Sequence, residues 1–319
     1  MKKRAGCKWA LAAAVAASVP ALAAQPASRN TSATPPTPSE IIARAPASEW
    51  RAVAPSDILV MRLAAGNGAA PREVHIQLIG STFAQPWVAN VRTLARARWW
   101  DGLSINRVQD NYVVQWGDAD GEDAARAKPL PPGLLPTRQA DYSSVVPRGR
   151  LSATRADNYA EVAGFLDGWP VAARGGRAWP AHCYAMVGGG RGMAPDAGTG
   201  AELYTVIGHA PRHLDRNIAV VGRVVSGIEH LSSLPRGSAA LGFYERPEQR
   251  VRIESIRLAS DLPADARPSY EYLATDTPTF ARYAQARANR SDAFFVQPAG
   301  GADVCNVTVP VRRAPQRSR

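Results

Sequence analysis

The stretch Trp100-Asp-Gly-Leu-Ser-Ile-Asn-Arg-Val-Gln-Asp-Asn-Tyr-Val-Val-Gln-Trp-Gly-Asp118 decides the fold. Residues 103–108 and 112–116 read as two short strands, and Gln109-Asp-Asn111 between them carries turn chemistry. Alternation sends Tyr112 and Val114 to one sheet face and Val113 and Gln115 to the other. Working outward, residues 58–63 and 73–78 form a hairpin around a turn rich in glycine, alanine and asparagine. Pro86 suits the first turn of a helix. Val88, Val91, Leu94 and Ala95 follow at helical spacing, and the helix ends near Trp99. Short apolar strands recur at 182–187, 202–207, 219–225 and 251–258, with a short helix at 228–234. Many short strands with two helices predict a mainly β fold, a closed barrel with helices packed outside.

The N-terminus reads as an address. Met1-Lys-Lys-Arg is basic, residues 9–21 are apolar but too short to span a bilayer, and Ala21-Leu-Ala23 offers a small-x-small cleavage site. Residues 1–24 are expected to be a signal peptide, leaving a mature chain that is periplasmic, without stable membrane insertion, and monomeric. Residues 25–56, rich at first in Pro, Ser, Thr and Ala, are expected to be a flexible linker, with order from Asp57. The main domain spans 57–260. Its insertion, about 117–180, carries Pro129, Pro131, Pro132 and Pro136 and reads as a long excursion. Residues 261–319 are expected to be a small α/β extension, with a helix at 277–289 and apolar segments at 293–296 and 304–311.

Composition bounds the function. The chain has 319 residues, 45% of them hydrophobic, which is enough for a full core. Loss of Lys2, Lys3, Arg4 and Lys8 with the leader removes four charges and takes the formal net charge from +11 to +7. The remaining excess is scattered, as at Arg92, Arg96, Arg98, Arg312 and Arg313, with no aromatic-interleaved basic stripe, so nucleic acid is not an expected partner. Cys183 and Cys305 alone survive export, and an oxidising compartment favours a disulfide between them over free thiols. Two cysteines and scattered histidines supply no metal site, and no cofactor is expected. The glycine run 188–192 lacks the strand–loop–helix context and the Lys-Ser/Thr of a phosphate loop.

The segment 100–118 resembles the cyclophilin signature, and further matches follow in family order. Phe83-Ala-Gln-Pro-Trp-Val-Ala-Asn90 is similar to the family's helix start, and Ala185-Met186 to its Ser-Met-Ala strand. Gly200-Ala-Glu-Leu-Tyr-Thr-Val206 stands where Gly-Ser-Gln-Phe-Phe-Ile is usual. His213-Leu-Asp-Arg-Asn-Ile-Ala-Val-Val-Gly-Arg-Val-Val-Ser-Gly227 looks like Trp-Leu-Asp-Gly followed by Phe-Gly-x-Val-x-x-Gly. Together they cover about residues 57–260. The resemblance implies an eight-stranded antiparallel barrel capped by two helices, and peptidyl-prolyl cis-trans isomerase activity on X-Pro bonds. Its implied partners are proline-containing polypeptides, among them unfolded exported proteins. A rival from another class is a proline-peptide-binding or chaperone-like module with little turnover.

Residue by residue, the resemblance gives Arg107 the catalytic arginine's place and Gln115 that of the glutamine anchoring the substrate backbone. Tyr112, Val113, Tyr204 and Leu214 line the proline pocket. Glu202, Leu203 and His213 complete the substrate-binding set, with Ile218 a looser match, and Val187 and Gly188 are expected to meet peptide through backbone. The family's usual His before the arginine is Asn106 here. A buried Tyr204 needs a partner for its hydroxyl. Glu202 introduces a carboxylate expected to orient Arg107, and His182 reads as a structural histidine.

Overall fold

The computed structural model describes residues 35–65, 72–80, 82–147 and 149–315, so the expected leader lies outside the described residues. The expected linker is corrected by two elements within it: α1 (Pro38–Ala43) and β1 (Trp50–Ala52). A capping box starts α1, because the Thr37 hydroxyl accepts the Glu40 N–H (3.2 Å) and the Glu40 carboxylate accepts the Thr37 N–H (2.8 Å).

The chain continues through β2 (Ile58–Leu63), β3 (Arg72–Leu78), α2 (Gln85–Arg96), β4 (Ser104–Val108) and β5 (Val113–Gly117). The expected excursion is itself a sheet of β6 (Ser144–Val145), β7 (Ser152–Arg155), β8 (Val162–Leu166), β9 (Trp169–Arg174) and β10 (Arg177–Pro180). Then come β11 (Met186–Gly189), β12 (Leu203–Val206), β13 (Val220–Ser226), α3 (Glu229–Ser232) and β14 (Val251–Leu258). The tail adds β15 (Tyr270–Leu273), α4 (Pro278–Ala288) and β16 (Val311–Arg313). Residues 182–185 are not strand, since β11 begins only at Met186. Residues 293–296 form no strand either: Phe294 and Val296 are exposed, and Phe294 packs edge-on against its neighbour Phe295.

Eight strands hydrogen-bond in the order β11-β12-β5-β4-β14-β2-β3-β13, and β13 returns antiparallel to β11. This is the expected closed antiparallel barrel, which leaves no free edge. Leu59, Met61 and Leu63 point inward with Val74, Ile76 and Leu78. The apolar stripe of α2, Trp87, Val88, Val91 and Leu94, is fully buried, and α2 packs on β13 and β14. Strand β2 also buries its outer residues Ile58 and Val60, against Val53, Ala259 and Tyr270. A strand covered on both faces reads as the continuous run Ile-Leu-Val-Met.

Two smaller sheets lie on the barrel. One has the order β1-β15-β16, the other β6-β10-β9-β8-β7. The buried Arg223 guanidinium of β13 ties the second to the barrel, donating to Gln77 (2.9 Å) and to the Gly168 carbonyl (2.8 Å). It lies 4.5 Å from the Trp169 ring, and burial pushes its pKa down to about 10. Helix α4 seals the other side, with Phe280 edge-on to Phe165 at 4.9 Å. From Pro35 onward the chain forms one compact unit.

Cys183 and Cys305 are joined across 122 residues of sequence. A cross-link closing so long a loop stabilises mainly by restricting the unfolded chain, by about 2–4 kcal/mol. The double variant Cys183→Ala/Cys305→Ala is expected to lose that much in denaturant unfolding, and the wild type in reductant to follow it. Identical midpoints for wild type with and without reductant would contradict the linkage.

Candidate active site

The turn at Gln109-Asp-Asn111, with Asn111 at φ 50°, sets the β4–β5 register. Pairing then aligns Arg107 with Gln115, Gln115 with Tyr204, and Tyr204 with Gly188, one row across four strands. A register shift between Ile105 and Arg107 lets β4 follow the barrel's curvature. Interior neighbours of the row, Val108, Val114, Trp116 and Leu203, belong to the main core. The row itself faces outward.

Beside it lies a second, smaller apolar cluster outside the main core. Val113, Tyr204 and Val206 are buried together, with Tyr112, Leu214 and Ile218 packed on them. Val113 pairs with Val206 in register, so both share the outer face with Gln115 and Tyr204. Here the structure brings together five residues singled out in the sequence, Tyr112, Val113, Tyr204, Leu214 and the looser match Ile218, and adds Val206. Tyr112 reaches the cluster from the turn end of β5 and stacks at 6.2 Å on the exposed ring of His213.

Arg107 is half-buried and held on several sides. Its Nε donates to the Leu241 carbonyl (2.7 Å), Nη1 to Gln115 Oε1 (3.3 Å) and Nη2 to Gln109 Oε1. The guanidinium lies 5.6 Å from the Tyr112 ring centre and 5.4 Å from that of Phe243. Burial draws its pKa below the ordinary value, with Tyr112 opposing. Leu241 and Phe243 carry no site signal in the sequence, because residues 239–243 come beside Arg107 only through tertiary structure, and Gln109 reads there only as part of the turn. Their one local signal is Gly242, at φ 79°, where a Cβ would come within 2.7 Å of Gln109 Cα.

One substrate-binding expectation is corrected. Leu203, paired with Trp116, points into the barrel and is fully buried. The Val187 side chain is likewise in the core, which leaves only its backbone to meet a peptide. Gly188 has a steric reason, since a Cβ there would collide with the Tyr204 ring and hydroxyl.

Glu202 stands elsewhere than expected. It makes no hydrogen bond to Arg107; its Oε1 accepts the Asp118 N–H (2.6 Å). Gly117 leaves room for it, because a Cβ there would overlap the carboxylate. Burial pushes its pKa up to about 7, against the hydrogen bonds from Asp118 N–H and Gln115, with Asp118 and Glu122 adding repulsion. Between the ordinary carboxyl value and about 7 the folded chain holds a proton that the unfolded chain has lost, so stability falls as pH rises through that window. Glu202→Gln is expected to raise stability at pH 8, by at most about 3 kcal/mol, and to change it little near pH 4. Thermal unfolding at the two pH values checks this, and an equal effect at both would contradict it. Glu202, Gln115 and Asn106 line a cavity of about 770 Å³ with Leu241 and Phe243.

The hydroxyl of Tyr204 has the partner it needs, His182 Nε2 at 2.9 Å. His182 Nδ1 lies 3.0 Å from Asp215 Oδ1, so His182 is a structural histidine within a buried network.

The comparisons with known proteins bear on the fold and the family. Residues 72–258 match the model of the family "Cyclophilin type peptidyl-prolyl cis-trans isomerase/CLD". The chain is similar to the solved cyclophilin AquaCyp293 from Hirschia baltica, at 21% identity and a TM-score of 0.63, covering 84% of this chain and 95% of that one. A Cryptosporidium parvum cyclophilin-type isomerase aligns at 12% identity and a TM-score of 0.40, covering 63% of this chain and 96% of that one. Among curated proteins none matches the chain. No helix of the described residues is long and apolar enough to cross a membrane. With a family model spanning more than half its length and the barrel to match, the chain belongs to the cyclophilin-type peptidyl-prolyl cis-trans isomerases.

Proposed function

We propose that Arg107 catalyses cis/trans rotation about X-Pro bonds of exported polypeptides in the periplasm, assisting their folding, with the proline ring seated on the Val113–Tyr204–Leu214 cluster. The observation that carries this reading is the row Arg107–Gln115–Tyr204 beside a separate apolar cluster on the barrel's outer face, in which Val113, Tyr204 and Val206 are buried and Tyr112, Leu214 and Ile218 are partly exposed. Rotation faces a barrier of about 18–20 kcal/mol because resonance makes the C–N bond partly double. A donor aimed at the imide nitrogen favours the twisted, pyramidal nitrogen over the planar one. That interaction exists only near the transition state, so it accelerates rotation without tightening ground-state binding. The guanidinium stays charged and brings several fixed donors, while Gln115 holds the peptide backbone on one side of the bond. The chemistry requires no nucleophile or general base. The chain acts in this reading as a monomer.

One observation favours a second reading, a proline-binding module with little turnover. The Arg107 donors already meet Leu241, Gln109 and Gln115, and catalysis must draw at least one away. Exchange spectroscopy on a short Ala-Pro peptide separates the two. Faster cis/trans exchange with the full chain is expected; binding without acceleration would establish the module instead.

A further inference from the structure

We infer that His182 and Asp215 are positioning residues that fix the floor and the rim of the proline pocket together, and that the inserted sheet and the C-terminal tail exist in part to hold them. The inference rests on the proposed proline pocket and assigns residues outside it. Tyr204 forms the floor. Its hydroxyl meets His182 Nε2 at 2.9 Å, and the two rings stack at 6.3 Å, 11° from parallel. Asp215 Oδ1 accepts both the backbone N–H of His182 (3.0 Å) and its ring Nδ1–H (3.0 Å). With the ring proton fixed on Nδ1 by the carboxylate, Nε2 of the neutral imidazole is an acceptor, and the Tyr204 hydroxyl donates to it. The direction of the whole chain is therefore set from Asp215.

The same carboxylate holds the rim. Asp215 follows the turn Arg212–Leu214, which carries His213 and Leu214, and its Oδ2 accepts Arg212 Nε (2.6 Å) and Trp179 Nε1 (3.3 Å). Arg212 Nη2 reaches Asp157 Oδ2 at 2.8 Å, and its guanidinium lies 4.8 Å from the Tyr159 ring. Asp157 and Tyr159 precede β8, and Trp179 lies in β10, so the inserted sheet region supplies these supports. The tail supplies the others: Asp303 lies 3.7 Å from Arg212 Nη1, and Cys305 is joined to Cys183, the neighbour of His182. His182, Tyr204, Arg212 and Asp215 are each at most 5% exposed.

A buried charged network is a poor way to gain stability, because well-packed apolar residues do as well or better. What it adds is direction: each hydrogen bond admits one geometry for the next. Here the chain ends on a single hydroxyl at the floor of an apolar pocket, where a ring free to tilt would change the pocket's shape. His182 touches no substrate and acts only through Tyr204.

A double-mutant cycle on the full chain tests this, with His182→Leu, Tyr204→Phe and the double variant assayed on an Ala-Pro peptide. Each single variant is expected to raise KM about tenfold with kcat within about twofold. The double variant should be no worse than the poorer single one, since both cut the same hydrogen bond. His182→Gln, which keeps a side-chain acceptor, is expected to recover most of the lost affinity. Multiplying effects in the double variant, or an unchanged KM in a folded His182→Leu, would overturn the inference. Should His182→Leu fail to fold, Tyr204→Phe against His182→Gln carries the test, and a Tyr204→Phe variant with wild-type KM would overturn it. Absence of exchange in the wild type would count against the proposed activity alone. The flip rate of the ring at position 204 by NMR, slow in wild type and faster in His182→Leu and in Tyr204→Phe, then still reads the positioning; rates equal to wild type would refute it.

Discussion

Arg107→Ala is expected to lower kcat/KM for X-Pro exchange about 100- to 1000-fold, the range seen when one preorganised donor to a transition state is removed. The loss should fall on kcat, with KM within a few-fold, because the donor meets the nitrogen strongly only as the amide twists. The apolar cluster of Val113, Tyr204 and Val206 does not depend on Arg107 for its packing, so the ring still binds. Arg107→Lys keeps the charge and loses the planar fork; it should recover only part of the rate. Exchange spectroscopy on an Ala-Pro peptide gives both constants, and thermal unfolding confirms that each variant folds. Equal rates for wild type and Arg107→Ala would remove the arginine from the mechanism.

Arg212→Leu is expected to cost about 3–5 kcal/mol of stability, since it strands two buried carboxylates, Asp157 and Asp215, without their shared cation. For a chain of this size that is a fall in Tm on the order of 10 °C. Burial alone would raise the Asp215 pKa. The hydrogen bond from His182 and the charge and hydrogen bond of Arg212 outweigh it and hold the carboxyl below its ordinary value. A depressed carboxyl contributes stability above its unfolded pKa and loses it as pH falls through the folded value. The gap between variant and wild type should therefore narrow in acid, below about pH 4. Melting curves at pH 7 and at pH 3 check both parts. A Tm unchanged at pH 7 would show that the network carries no stability.

The barrel was legible because its strands alternate and their order matches a signature. Residues 58–63 and 251–258 read as strands and are β2 and β14. The pocket was legible only through the resemblance, since Val113, Tyr204 and Leu214 lie far apart in sequence and any of them alone reads as core. The inserted sheet was missed although its turns are written in the chain. Asp167-Gly168, both at positive φ, joins β8 to β9, and Gly175-Gly176, likewise positive, joins β9 to β10. The prolines before them read as loop, and the alanine-rich strand β9 has weak β propensity of its own. Thr37-Pro-Ser-Glu40 carried a capping pattern too, obscured by the Pro- and Ser-rich run around it. Glu202 was placed against Arg107 because both belong to the groove, but pairing sets Gln115 between β4 and β12, so the carboxylate meets the Gln115 side of the site.

Intermolecular NOEs between the ring protons of a bound Ala-Pro peptide and the methyl groups of the labelled full chain test the account's central claim most directly. A proline seated beside Arg107 must give cross-peaks to Val113 and Leu214. Catalysed exchange with no cross-peak to these two, or with cross-peaks to Ile41 and Ala286 in the groove between α1 and α4, would contradict it.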